Sequence, residues 1–440
     1  MNVWKRICVC AVVVAVQVSL VGVAAGQIRA GAAKRIITPD PLLPVSGGMG
    51  PTEPAREKRG ELTARAVVVA HANSKLALVS VDLLGFPSVL GDRARQLVPN
   101  IPADNILIGA THTHSAPDCY AFPDGQGGHA GDLAYMERVV QAVAEAIREA
   151  DQRLVPVQLK AATGAIQGKV AYNYYAPELY DRRASVLQFV TPSNETVATL
   201  INFAIHPEVI GSEQGICSPD LIGPLCDRLE QELGGMGIFL NSAQGGMITA
   251  DNRDLERPSD PLRAVWHDVR TWEECQQIGE TLADESIQMV RSAPVQSTPN
   301  LFVTSRRVKF PVESDAMWGV VTQSPLKYPH DATNRTIEAR INLVNLGSVQ
   351  MVSIPGEALP NIGFFLKRKM AGEHNLLLGL TNDAFGYILT QVDYKSFPRY
   401  DYVSRVSLGE MTGEILMKNV LELVHESPAP DRAPEAAAER

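Results

Sequence analysis

Asn105-Ile-Leu-Ile-Gly-Ala110 runs without a break into Thr111-His112-Thr113-His114-Ser115. The first six residues read as a short aliphatic strand. Its apolar residues are nearly continuous rather than alternating, which describes a strand covered on both faces. The five residues that follow place two imidazoles and three hydroxyls where the apolar run stops. A covered strand that ends in chemistry is how α/β folds assemble sites from distant parts of the chain.

The same pattern recurs outward from this point. Ala64–His71, Leu76–Val81, Leu200–Ile205, Gly237–Leu240, Ile341–Val344, Val349–Ile354 and Leu376–Leu380 all read as short strands rich in Val, Ile and Leu. Between them lie helical stripes: Met136, Val139, Val140, Val143 and Ile147 share one face, Leu221, Leu225 and Leu229 form a second, and Cys275, Ile278, Leu282 and Met289 a third. Interleaved strands and helices define an α/β protein of mixed β-sheets flanked by helices. Asn345–Ser348 has the composition of a tight hairpin turn, so part of the sheet is antiparallel.

Three further strands end in polar residues. Leu200-Ile-Asn-Phe-Ala-Ile stops at His206-Pro207, which a hydrogen-bonded core histidine also explains. Val349-Gln-Met-Val-Ser-Ile leads through Pro355-Gly356 to Glu357, which the N-terminus of a following helix would equally favour. Leu376-Leu-Leu-Gly-Leu leads through Thr381-Asn-Asp-Ala-Phe-Gly to Tyr387, a loop tyrosine whose plain role is packing. On a straight extended segment, His112 and His114 point to opposite faces, so one is a candidate metal ligand and the other a neighbour. Imidazoles with a carboxylate and no thiolate suit zinc in a reactive site, with iron or manganese behind it.

The ends of the chain have their own character. Lys5 and Arg6 precede an apolar run from Ile7 to Val23 and the small residues Ala24, Ala25 and Gly26. This reads as a signal peptide over residues 1–26, although the run is long enough to serve as an uncleaved anchor. Cleavage would leave one exported domain over residues 27–426, periplasmic or secreted, with no stable membrane span. Ser427–Arg440, rich in Pro, Ala, Glu and Arg, reads as a disordered tail. The formal net charge of −9 argues against a nucleic-acid or anionic-membrane surface, either of which would need basic patches. Cys119, Cys217, Cys226 and Cys275 have neither CxxC spacing nor the density of a disulfide scaffold, which leaves buried thiols and a disulfide both open.

The Thr111–Ser115 run, the strand ending in His206-Pro207, Pro355-Gly-Glu357, Gly379–Ile388 and Arg399-Tyr400 resemble, in order, the neutral/alkaline non-lysosomal ceramidases. Ala30-Gly31-Ala32 to Ile37-Thr38-Pro39 is similar to that family's entry strand, and the resemblance runs from about residue 28 to 420, its N-terminal catalytic domain. It implies a zinc site made of His112, His206, Glu357 and Tyr387, with His114 facing the reacting water and substrate. Tyr400 would steady the carbonyl oxygen as it becomes an oxyanion, although it lies one residue further from Tyr387 than the family's spacing. Ile248 stands where the family has a serine, with Thr249 beside it, so the implied chemistry needs no serine. The implied function is zinc-dependent hydrolysis of the amide of a small amphiphile, ceramide-like, by water activated at the metal. The alternatives are another small amide or ester, and a secreted binding protein with a relic site.

Overall fold

The computed structural model describes residues 26–50, 52–124, 126–260 and 265–433. The proposed signal peptide lies outside them except for Gly26. Three sheets carry the fold, each with one parallel pair of strands at an edge. In the first, Ile106–Ala110 pairs in parallel with Ser74–Val81, which continues antiparallel through Thr63–His71 and Arg29–Ile36 to Val155–Pro156. In the second, Met236–Asn241 is parallel to Thr196–Phe203, followed by Arg183–Val190, Gln158–Ala165 and Val295–Gln296. The third sets His374–Leu378 parallel to Val349–Ser353, then antiparallel to Thr336–Leu346 and Leu301–Pro311. The Asn345–Ser348 turn joins an antiparallel pair, and Gly347 supplies its positive φ of 55°.

Burial explains why these segments are strands. Thr63–His71 and Ser74–Val81 are buried along almost their whole length, on both faces. One face of each of the three sheets contributes to a common core, where Val69, Leu78 and Leu107 meet Leu187, Leu200 and Ile238, and Val344, Met351 and Leu376. The outer faces are covered by helices. Leu133–Gln152 lies on the first sheet, Ile222–Leu233 and Trp272–Arg291 on the second, and Pro360–Lys369 and Thr412–Glu426 on the third. Fully burying one such aliphatic side chain is worth about 1.5–3 kcal/mol, so the shared core fixes the sheets against each other.

Three buried asparagines then stitch the sheets where the parallel strands end. Asn241 Nδ2 donates to the carbonyls of Thr111 and Ile205, at 3.1 and 2.7 Å, joining the first sheet to the second. Asn202 Nδ2 donates to Leu240, Asn241 and Leu377, joining the second to the third. Asn382 accepts from the Ile108 amide and donates to Asn342 Oδ1, joining the third to the first. Side-chain amide N–H groups in a dry core are costly unless paired, so these bonds between sheets favour this docking.

Two features differ from the sequence reading. The apolar runs ending at Ile205 and Leu380 outlast their strands, which stop at Phe203 and Leu378. The extra residues are buried turns beneath the site, apolar because they are covered rather than because they are extended. The second concerns the tail, whose first part is tied down rather than disordered. Asn345 Nδ2 donates to the Pro428 carbonyl at 2.7 Å, Asn300 donates to both Asp431 oxygens, and the Asp431 amide donates to Gly347 at 2.9 Å. Residues 434–440 lie outside the described residues. The four cysteines are buried free thiols. Among the described residues no helix is long and apolar enough to cross a membrane.

Candidate active site

Each parallel pair delivers one side of the site. Beyond the first pair, the amides of Thr111 and His112 still donate to the Val81 and Leu83 carbonyls. His112 then adopts a left-handed backbone, with φ 75°. That turn overrides the expectation of opposite faces. Both imidazoles come to one side, with Nε2 of His112 and His114 3.3 Å apart, while Thr113 turns away to the Ser218 carbonyl. A left-handed β-carbon-bearing residue costs about 1–3 kcal/mol, and the backbone bonds on either side hold it.

All three histidines present Nε2 to a common point. His112 Nδ1 donates to the Leu84 carbonyl at 2.6 Å and His206 Nδ1 to the Ile248 carbonyl at 2.8 Å. His114 Nδ1 faces Glu208 Oε2 at 3.4 Å. One nitrogen from each ring lies within 4.8 Å of the others, an arrangement able to hold a metal ion. Glu357 closes the group, its Oε2 3.1 Å from His206 Nε2 and 3.4 Å from His112 Nε2. With Nδ1 donating outward, the inward-facing atoms of His112, His206 and Glu357 are all lone pairs. Buried acceptors cannot face one another unheld, so the group requires a shared proton or a cation. Tying back the second ring nitrogen is also how metal-binding histidines are oriented.

Glu357 is not a helix-terminus acid, contrary to the alternative left open by its position after Pro-Gly. It sits in a two-residue strand, Glu357–Ala358, paired in parallel with Tyr387–Ile388, and the next helix begins only at Pro360 with no acid in its first turn. Tyr387 is likewise in a strand rather than a loop, with its hydroxyl 3.0 Å from Met247 Sδ. Gly245 permits this packing, because a β-carbon there would meet the Glu357 carbonyl at 2.1 Å.

Burial and charge set the protonation. Burial alone would raise the Glu357 carboxyl, but His112 and His206 outweigh it and hold it far below the usual carboxylate range. For His206, burial opposes the charge and the bonds to Glu357 outweigh it, so its pKa rises. His114 falls well below the ordinary imidazole value through burial and the proximity of His112 and His206, which favours a neutral ring. Burial and the Glu357 charge push the Tyr387 phenol far up, and they push Tyr402 up to about 12.

His112, His114, Glu357, Tyr387 and Tyr402 open on one cavity, whose remaining wall is largely apolar: Leu84, Phe122, Met317, Val320, Val321 and Phe385. Tyr400 is not on that wall. It is half-buried in an aromatic cluster with Tyr175 and Phe397, at ring distances of 5.3 and 5.5 Å. The wall position belongs to Tyr402, two residues on, with its ring 5.9 Å from that of Tyr387. The short helical turns over Pro398–Arg405 put Tyr400 and Tyr402 on different sides, which an apolar pattern does not reveal. Tyr402 and Glu208 are the two residues that sequence reasoning missed. Glu208 carries only the faint signal of a carboxylate two residues past His206. Ile248 contributes through its carbonyl to the site, while its side chain is fully buried in the core of the second sheet.

No protein-family model and no curated protein matches the sequence. Solved structures do match in fold. The crystal structure of neutral ceramidase from Pseudomonas aeruginosa aligns with a TM-score of 0.73 at 16% identity, over 93% of this chain and 76% of that one. A ceramidase complexed with C2 aligns equally well, at 0.73 and 16%, over 93% and 77%. The chain therefore has the neutral ceramidase fold.

Proposed function

We propose that this protein is an exported, zinc-dependent hydrolase that cleaves the amide bond of an N-acylated amphiphile. The observation that carries the reading is the convergence of three tied-back imidazoles and a charged carboxylate on one buried point beside an apolar cavity. His112, His206 and Glu357 would hold the ion, and Tyr387, on the strand beside Glu357, is the fourth ligand that the family resemblance implies. When bound, zinc supplies a Lewis acid that polarises the carbonyl and lowers the pKa of water toward about 7. The likeness to ceramidase structures supports a ceramide-like substrate, as does the apolar wall, which suits an acyl chain.

The chain's own groups supply the rest. His114 is kept neutral by burial and turns Nε2 inward, so it can take the water proton and pass it to the leaving amine. An amide needs that transfer because an unprotonated amine leaves poorly. Glu208 orients the ring through Nδ1. Tyr402 stays a phenol at neutral pH and can donate to the carbonyl oxygen as charge develops there. None of these steps requires a hydroxyl at position 248.

Elemental analysis of purified protein, with turnover assays on N-acyl sphingosines, N-acyl amino acids and simple esters, tests the proposal. About one zinc per chain and preference for a long-chain amide are expected. Absence of bound transition metal, with no activation by added zinc, would sink it.

A further inference from the structure

The cavity mouth is bordered by more exposed apolar surface than packing requires. Tyr402, which lines the cavity, is 40% exposed, Phe397 is 57%, Tyr174 is 59% and Val392 is 80%. Two of these residues, Tyr174 and Phe397, are joined by one chain of aromatic rings. The Tyr174 ring lies 5.5 Å from Tyr175, Tyr175 lies 5.3 Å from Tyr400, and Tyr400 lies 5.5 Å from Phe397. On the opposite lip, a β-carbon at Gly48 would lie 3.6 Å from the Tyr402 hydroxyl, and the adjoining Met49 is 36% exposed.

Cations punctuate this rim. Lys395, Arg399 and Arg405 are exposed, and none forms a salt bridge among the described residues. Arg399 donates to the Tyr175 carbonyl at 3.3 Å, Lys395 lies over the Tyr394 ring at 5.0 Å, and Arg405 lies over Tyr402 at 5.9 Å. Of the acids on the same segment, Asp393 is occupied by Thr390 and Asn361, and Asp401 is exposed. The formal charge of −9 disfavours an anionic surface for the molecule as a whole, but within Gln391–Arg405 the cations Lys395, Arg399 and Arg405 outnumber the acids Asp393 and Asp401, with Glu410 and Glu414 held by Gln391 at the edge of the segment.

We infer that the rim docks onto a lipid–water interface. Phe397, Val392 and Tyr174 enter the boundary between headgroups and acyl chains, and the three cations meet lipid phosphates. Aromatic rings with one wet edge settle at that depth, and long basic side chains reach from apolar surroundings to the phosphate layer. A second copy of the chain fits the patch less well, since a two-fold contact would bring the patch and its three cations together with an identical patch. The purpose of docking rests on the lipid-amide reading, because it places the cavity mouth where such a substrate resides, but the binding itself is measured without turnover.

The test is co-sedimentation of the full mature chain with vesicles of phosphatidylcholine, alone or mixed with phosphatidylglycerol. Binding to both is expected, tighter with phosphatidylglycerol and weakened by salt. Combining Tyr174→Ser, Val392→Ser and Phe397→Ser should weaken binding by about tenfold or more while zinc content and turnover of a water-soluble short-chain amide hold. Combining Lys395→Glu with Arg399→Glu should abolish the phosphatidylglycerol preference. Failure of the native chain to bind, or equal binding by the serine variant, overturns the inference. So does a native dimer that the serine variant dissolves, which would assign the patch to self-association. Vesicle binding without turnover on any amide would instead overturn the hydrolase reading and leave this one standing.

Discussion

The floor of the cavity and its rim are built on opposite terms. On the floor, His112, His206 and Glu357 are buried just past the ends of strands that pair in parallel at one edge of each of the three sheets. Each ring is fixed at one nitrogen by a backbone carbonyl or carboxylate, and the asparagines at 202, 241 and 382 lock the sheets beneath them. The rim segment Gln391–Arg405 has only turns and two short helical pieces, and most of its side chains face solvent. Chemistry that fails with a displacement of about 1 Å belongs on the core, whereas surface that must meet a deformable partner can tolerate looser support.

The contrast is broken most severely at the floor. His112→Ala and His206→Ala should each lose the metal and reduce turnover to background, because each removes an inward lone pair and leaves Glu357 with one imidazole partner instead of two. Zinc stoichiometry measured beside a folding probe decides this. Metal retained in both variants would mean that the buried group is a proton-sharing cluster.

Next in size is His114→Ala, which should keep zinc and cut turnover by about a hundredfold or more. The geometry makes this a real contest. His114 stands with His112 and His206 in the group able to hold an ion, while the family resemblance makes it a proton carrier. Loss of zinc on His114→Ala, with zinc retained in Tyr387→Phe, would make His114 a ligand and require another base.

The floor was largely legible because burial writes itself into composition. The strand read over Ala64–His71 is Thr63–His71, and the helical stripe from Met136 to Ile147 lies within Leu133–Gln152. Strand ends marked by His206, Glu357 and Tyr387 were visible for the same reason. What was not legible is set by distant partners. The left-handed turn at His112 depends on carbonyls of Leu83 and Leu84, which no local pattern announces. Glu357 looked like a helix-opening acid because the sequence does not show its pairing with Tyr387. At the rim no apolar period exists to fix the register, so the sequence does not show that Tyr402 rather than Tyr400 lines the cavity.

That register can be sharpened directly. Tyr402→Phe should lower turnover by about a hundredfold, the usual loss for one oxyanion donor, with KM for a soluble amide little changed. Tyr400→Phe should have little effect, since its ring packs against Tyr175 and Phe397 and the residue does not line the cavity. If Tyr400→Phe carries the larger loss, the segment rearranges on substrate binding and the floor-and-rim contrast must be redrawn.

The smallest effect concerns Ile248, where the floor meets the hydrophobic core. Its side chain is fully buried, while its carbonyl accepts from both the amide and Nδ1 of His206, at 2.7 and 2.8 Å. If the position serves the site only through that carbonyl, Ile248→Val should cost about 0.5–1.5 kcal/mol of stability and leave zinc content and turnover unchanged. Ile248→Ser keeps the carbonyl too, but it buries a hydroxyl in place of a butyl group, so it should cost more stability, about 2–5 kcal/mol, without raising activity. Thermal unfolding and zinc analysis of both variants separate the two roles. A fall in turnover for folded Ile248→Val would show that the side chain itself supports His206. A rise in amide turnover for Ile248→Ser would show that a hydroxyl takes part in the chemistry, which the arrangement of His114, Glu208 and Tyr402 does not require.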